Sequence, residues 1–180
     1  MPYEPSPELA ALSLAEIAGF VGARKLPPVE QWRPVAEGDS LMRIAADGRW
    51  FHDGGEVRRP AMIRAFASLL MRDERGHWLV TPTERLAIEV EDAAFIAVDL
   101  KRAGDALAFR LNTDELVIAG ADHPIRVAGD PDTPAIYLAV RHGTEARLNR
   151  STYGQLAEIA LEDDRLMITS GGARFSLVPR

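Results

Sequence analysis

Arg43, Trp50, His52 and Arg59 stand close together in the chain, and all four are of types that hold small anions. A guanidinium is a planar fork of donors that matches phosphate, an indole is a broad stacking surface, and an imidazole donates or accepts near neutral pH. Arg59 precedes Pro60, a residue suited to the first position of a helix, so it stands where a helix N-terminus offers free N–H groups. A second basic group, Arg141, His142, Arg147 and Arg150, surrounds a later hairpin and helix start, and Arg150 mirrors Arg59 there. The expected ligand-binding set is therefore Arg43, Trp50, His52, Arg59 and Arg150. In it the three arginines meet an anionic group, Trp50 stacks and His52 hydrogen-bonds. The plainer alternative packs Trp50 under the N-terminal arm and pairs Arg43 with a carboxylate such as Glu56, while Arg147 and His142 read as a solvated strand edge.

The acidic residues Glu84, Glu89, Glu91 and Asp92 raise the question of metal or acid–base chemistry. Glu89 and Glu91 simply fill the polar face of an alternating strand, and no histidine stands near them at ligand spacing, so neither a metal nor a cofactor is expected. The chain has no cysteine, which excludes disulfides, thiolate metal sites and cysteine nucleophiles. Nucleophile-elbow, P-loop, dinucleotide-fingerprint and zinc-protease patterns are absent too. The reading that follows is a non-enzymatic binding module. The alternative is a small hydrolase or transferase acting on a phosphorylated metabolite, with His52 as acid–base and Glu84 or Glu91 assisting. A third reading, a protein-interaction scaffold, requires a large apolar patch.

These side chains must be positioned by strands and two helices. Residues 41–46 and 49–53 flank Asp47-Gly48, a pair that favours a two-residue hairpin turn. That turn predicts Ala45 opposite Trp50, Ile44 opposite Phe51 and Arg43 opposite His52. Met42, Ile44 and Phe51 then face the core, and Arg43, Trp50 and His52 share the other face. Pro60 opens a helix with Met62, Phe66, Leu69 and Leu70 on its apolar side. Strands follow at 77–81 and 86–90, then an antiparallel meander through residues 96–100, 107–111 and 116–119. Strands at 136–141 and 144–149 precede a helix at 151–161, with Thr152 and Gln155 as its capping box, and a last hairpin turns at Gly171-Gly172. Upstream, Ser6-Pro7 and Ser13 each signal a helix start, and prolines 27, 28 and 34 make residues 24–39 an arm pinned by Trp32.

Hairpin, arginine, helix and strand thus occur twice, and placing Arg150 on Arg59 preserves the apolar register of the two helices. The expected fold is α+β, with two related halves, each a curved antiparallel sheet on one main helix. The expected divisions are residues 1–37, 38–83 and 84–180. The length of 180 residues buries a sufficient core without staples. A net charge of -6 argues against a sequence-independent grip on nucleic acid. With no basic start before an apolar run, and no apolar stretch long enough to span a bilayer, a cytoplasmic protein without membrane partners is expected.

The runs Asp47-Gly48-Arg49-Trp50-Phe51-His52-Asp53-Gly54, Leu79-Val80-Thr81-Pro82-Thr83-Glu84 and Ile88-Glu89-Val90-Glu91-Asp92-Ala93-Ala94-Phe95 resemble signatures of the DUF1285 family of bacterial proteins. Pro27-Pro28-Val29-Glu30-Gln31-Trp32 is similar to its N-terminal arm, and Ala94 departs from it where proline is expected. The resemblance implies a duplicated α/β core with a C-terminal half like pleckstrin-homology folds. It also implies a nucleotide-like ligand between the halves and a part in signal transduction, with no established activity.

Overall fold

Glycine and aspartate turns cut the chain into short strands. In the computed structural model, which describes residues 8–178, these strands build two six-stranded sheets and one small hairpin. A 3-10 turn at Leu9–Ala11 and helix α1 (Leu14–Ala23) come first. Ser13 and Glu16 close a reciprocal capping box at the start of α1, as the sequence pattern requires. The expected cap at Ser6-Pro7 lies outside the described residues. Leu9, Leu12 and Ile17 are buried with Ala103, Ala108 and Leu116.

Two compact units follow from the chain's contacts: Lys25–Phe95 with Arg141–Thr144, and the remainder. The first holds β1 (Ala36–Ile44), β2 (Trp50–His52), β3 (Gly55–Val57), α2 (Pro60–Ala67), β4 (Leu70–Asp73), β5 (Gly76–Val80) and β6 (Glu84–Val90). The strand order is β3-β2-β1-β6-β5-β4, with β1 parallel to β6 and every other pair antiparallel. The sheet is therefore mixed where an antiparallel one is expected. Pro60 opens α2, but the helix stops at Ala67, and Leu70 and Met71 belong to β4. The arm crosses one part of this unit. Val29, Trp78 and Val80 form a buried cluster on which Trp32, Met71 and Ala87 pack, so Trp32 pins the arm, but the arm is shorter than the expected residues 24–39 because β1 begins at Ala36.

The second unit holds β7 (Phe95–Ala103), β8 (Ala106–Leu111), β9 (Leu116–Ile118), β10 (Ile125–Gly129), β11 (Pro134–Ala139), β12 (Glu145–Leu148), α3 (Arg150–Ala160) and the hairpin β13 (Met167–Ser170) with β14 (Ala173–Ser176). Its sheet runs β10-β11-β12-β7-β8-β9, and the expected meander is β7-β8-β9. Asn149, not the Thr152–Gln155 pair, caps α3: its Oδ1 accepts from the Thr152 amide at 2.9 Å.

Counted from its own first strand, each sheet has the same order, 3-2-1-6-5-4. The halves are thus related, but through their strands. β1 and β7 are both 9 residues long and start 59 positions apart. The expected alignment of Arg150 with Arg59 is displaced from this, because α2 lies between the third and fourth strands of its sheet whereas α3 follows the sixth of its own. The expected division before Glu84 moves as well: β6 sits centrally in the first sheet, and the unit runs on to Phe95.

Candidate functional site

The β1–β2 hairpin decides where the expected site residues point. The register is Met42↔His52, Arg43↔Phe51 and Ile44↔Trp50, one residue away from expectation. The loop has three residues, not two. The Ala45 amide donates to the Arg49 carbonyl at 2.8 Å and the Gly48 amide to the Ala45 carbonyl at 2.9 Å, with Gly48 at φ 90 in the left-handed region. A one-residue slip exchanges the faces. Trp50 is 0% exposed and stacks on Phe66 of α2, ring centres 6.4 Å apart. It belongs to the core and offers no stacking surface to a ligand. Phe51 comes out on the other face, beside Arg43.

His52 shares the face of Trp50 but is exposed, and makes no side-chain hydrogen bond or ion pair among the described residues. Arg59 is the exposed N-cap of α2 and makes no side-chain capping bond. Arg150, the exposed first residue of α3, belongs to the other unit. The hairpin therefore puts Arg43 and Trp50 on opposite faces, so these two do not share the expected site. Of the second basic group, Arg141 donates to the Ala67 carbonyl at 3.1 Å and lies 5.2 Å from the Phe95 ring, and His142 Nε2 is 3.7 Å from Glu30. Arg147 lies over Tyr137. No cluster of three or more acidic or histidine side chains is arranged to hold a metal among the described residues.

Arg43 keeps a site around it. Its guanidinium lies 4.3 Å above the Phe51 ring and donates to Glu91 Oε1 at 2.6 Å, while Glu91 Oε2 accepts from the Ala46 amide at 2.8 Å. A cleft of about 500 Å³ opens there, lined by Asp39, Leu41, Arg43, Phe51, Asp53 and Glu89 among others. It exists because β1 is broken. Asp39 pairs with Ala87 and Met42 with Ile88, leaving Ser40 and Leu41 as extra residues. Leu41 (φ 57) and Asp53 (φ 48) both take the left-handed conformation. The break is held by Ser40 Oγ, which donates to the Ala87 carbonyl at 2.7 Å and accepts from the Met42 amide at 3.1 Å, and by Asp39, which accepts from the Leu41 amide at 2.8 Å. Hydropathy patterning carries no signal for such a bulge.

A second cleft, about 370 Å³, lies under the arm between Trp32, Met71, Val80 and Arg85. Beside it is a charged network outside the expected site. Arg75 and Arg85 both bind Glu37, Arg85 also binds Asp73, and Asp73 accepts from Trp78 Nε1 at 2.9 Å. The guanidinium of Arg85 lies 4.1 Å from the Trp78 ring. The bonds from Arg75 and Arg85 hold the Glu37 carboxyl below its ordinary range, and the Trp78 N–H does the same for Asp73.

Among the described residues no helix is long and apolar enough to cross a membrane. Residues 27–93 match the family model described as the N-terminal domain of DUF1285, a domain of unknown function. Residues 94–177 match the C-terminal domain of the same family. No curated protein matches. A crystal structure of a DUF1285 family protein from Silicibacter pomeroyi DSS-3 is similar at 40% identity and TM-score 0.79, over 94% of this chain and 96% of that one. Another, from Shewanella baltica OS155, is similar at 26% identity and TM-score 0.56, over 66% of this chain and 91% of that one. With both domain models matched in order and the first of these structures spanned nearly end to end, the chain belongs to the DUF1285 family.

Proposed function

We propose that this protein is a non-enzymatic binding module whose small-molecule ligand sits in the cleft at the β1 bulge, as part of a sensing or signalling role. The observation that carries this reading is the Arg43–Phe51 platform at the edge of that cleft. Its volume of about 500 Å³ falls in the usual range of small-ligand sites. The partner now on Arg43 is itself a carboxylate, Glu91, so an anionic ligand group has a ready place to exchange into. That exchange would also release Glu91 from the Ala46 amide in the hairpin loop, which gives binding a structural consequence. Asp39, Asp53 and Glu89 on the same walls disfavour a polyphosphate, so one anionic group beside a flat ring fits better, as in a nucleoside monophosphate. The hydrolase or transferase alternative draws no support from His52, which makes no bond to Glu84 or Glu91 among the described residues.

The test is a thermal-shift series with adenosine, its monophosphate, its cyclic monophosphate and its triphosphate. A ligand held at about 100 times its dissociation constant adds roughly 2.7 kcal/mol. The expected result is a shift with a monophosphate that disappears in Arg43→Ala and Phe51→Ala, with the compound recovered unchanged. A shift that survives both substitutions, or turnover of the compound, would overturn this reading.

A further inference from the structure

β1 has 9 residues, whereas β2 and β3 have 3 each. β2 therefore covers only residues 42–44 of β1. Residues 36–39 pair with β6 on one side, from Ala36↔Glu84 to Asp39↔Ala87, and among the described residues no strand lies on their other side. All four are exposed, as are Val35 (95%) and Leu41 (58%) at either end. In a parallel pair alternate residues turn their N–H and C=O groups away from the partner strand, so this stretch presents backbone donors and acceptors with no ladder to join. The outcome is a notch inside the strand order of the first sheet, ended by the Ser40-Leu41 bulge and the Asp53-Gly54 turn. It has room for about four extended residues, roughly 13 Å of strand.

The cleft opens at that end of the notch, with Asp39, Asp53 and Glu89 on its walls. Among the described residues its one lining guanidinium, Arg43, is held by Glu91. We propose that residues 36–39 of β1 are a docking edge for an extended peptide of a partner protein, which adds a strand there and places a lysine or arginine among Asp39, Asp53 and Glu89. Backbone pairing supplies affinity in this mode and the pocket for an alternate side chain supplies selectivity. A second copy of this chain is a poor occupant. Antiparallel self-pairing about Gly38 sets Glu37 of one copy opposite Asp39 of the other, and like charges directly opposed across strands repel. The inference rests on the reading of this cleft as a binding site and adds the partner at its acidic end.

The probe is a fluorescein-labelled, end-capped heptapeptide, Thr-Val-Thr-Lys-Val-Thr-Val, followed by anisotropy. Two controls accompany it: the same peptide with Glu for Lys, and one N-methylated at alternate residues. The lysine peptide is expected to bind at least tenfold more tightly than either control. It should slow amide exchange within residues 36–39, and it should lose at least fivefold in affinity on Glu89→Lys, an exposed substitution whose melting temperature is checked against the parent. Equal binding of the lysine and glutamate peptides, undiminished binding of the N-methylated one, or protection confined to β3 or β4 overturns the inference. If no peptide binds while adenosine monophosphate binds in an Arg43-dependent way, the docking edge falls and the cleft reading stands. If neither binds, both fall.

Discussion

Replacing Trp50 separates a core tryptophan from a ligand-stacking one. The side chain is 0% exposed, stacks on Phe66 and pairs across the hairpin with Ile44, itself 0% exposed. Truncating such a residue to alanine costs about 3–5 kcal/mol. A unit of this size has a total stability of about 4–11 kcal/mol, so Trp50→Ala brings it close to unfolding. Trp50→Phe is the finer probe. It forfeits about 1.5 kcal/mol for roughly two ring carbons' worth of burial. It also removes Nε1, a buried donor with no hydrogen-bond partner among the described residues, and an orphaned donor costs about 1–3 kcal/mol. The two terms nearly cancel, and Trp50→Phe should lie within about 1 kcal/mol of the parent. Urea titration followed by tryptophan fluorescence reads this directly, because Trp32, Trp50 and Trp78 all belong to the first unit and two reporters survive the substitution. Loss of less than about 1 kcal/mol in Trp50→Ala would refute the burial argument, since that is what an exposed ring would cost.

Asn149→Ala removes the cap of α3 and should cost about 1 kcal/mol in a urea titration read by far-UV circular dichroism, whereas Gln155→Ala should change little. Gly143 sits at φ 79, and a Cβ there would meet the Arg72 carbonyl oxygen at 2.6 Å; Gly143→Ala should lower the melting temperature by several degrees, equivalent to about 1–3 kcal/mol. Glu37 and Asp73 have carboxyls held below their ordinary range, by Arg75 and Arg85 in the first case and by Trp78 and Arg85 in the second. A depressed carboxyl contributes stability that is complete above its unfolded-state value, near pH 4, and is lost as pH falls through the folded-state value, so acid should weaken the parent between about pH 5 and 2. The slope of stability against pH over that window should be shallower in Glu37→Gln, and an unchanged slope would remove this network from the account.

Elements announced by local chemistry were legible in the sequence. Ser13 and Glu16 cap α1, Pro60 opens α2, and Gly171-Gly172 turns where it should. The hairpin at Asp47-Gly48 was legible as a hairpin but not in its register, because two-residue and three-residue loops both demand a left-handed glycine. That ambiguity moved Trp50 into the core and brought Phe51 to Arg43, so most of the error about the site traces to one residue of slip. β4 was hidden because Leu69, Leu70 and Met71 continue the apolar spacing of α2, and tertiary pairing with β5 overrides it. The duplication was visible as a repeat but anchored on the wrong feature. The two helices share an apolar register without sharing a place in the strand order, and the strands that do correspond have little sequence pattern in common.

The parallel seam between β1 and β6 bears on how such a chain is made. The two strands that meet at the middle of the first sheet are the earliest and latest of its six to leave the ribosome. Each flanking three-strand meander can assemble from neighbours, but the join between them waits for Val90, and loop closure over that span slows folding more than any single hairpin does. A chain shortened before Glu84 would hold β1–β3 and β4–β5 with no strand between to join them, so this sheet closes only when all six of its strands are present.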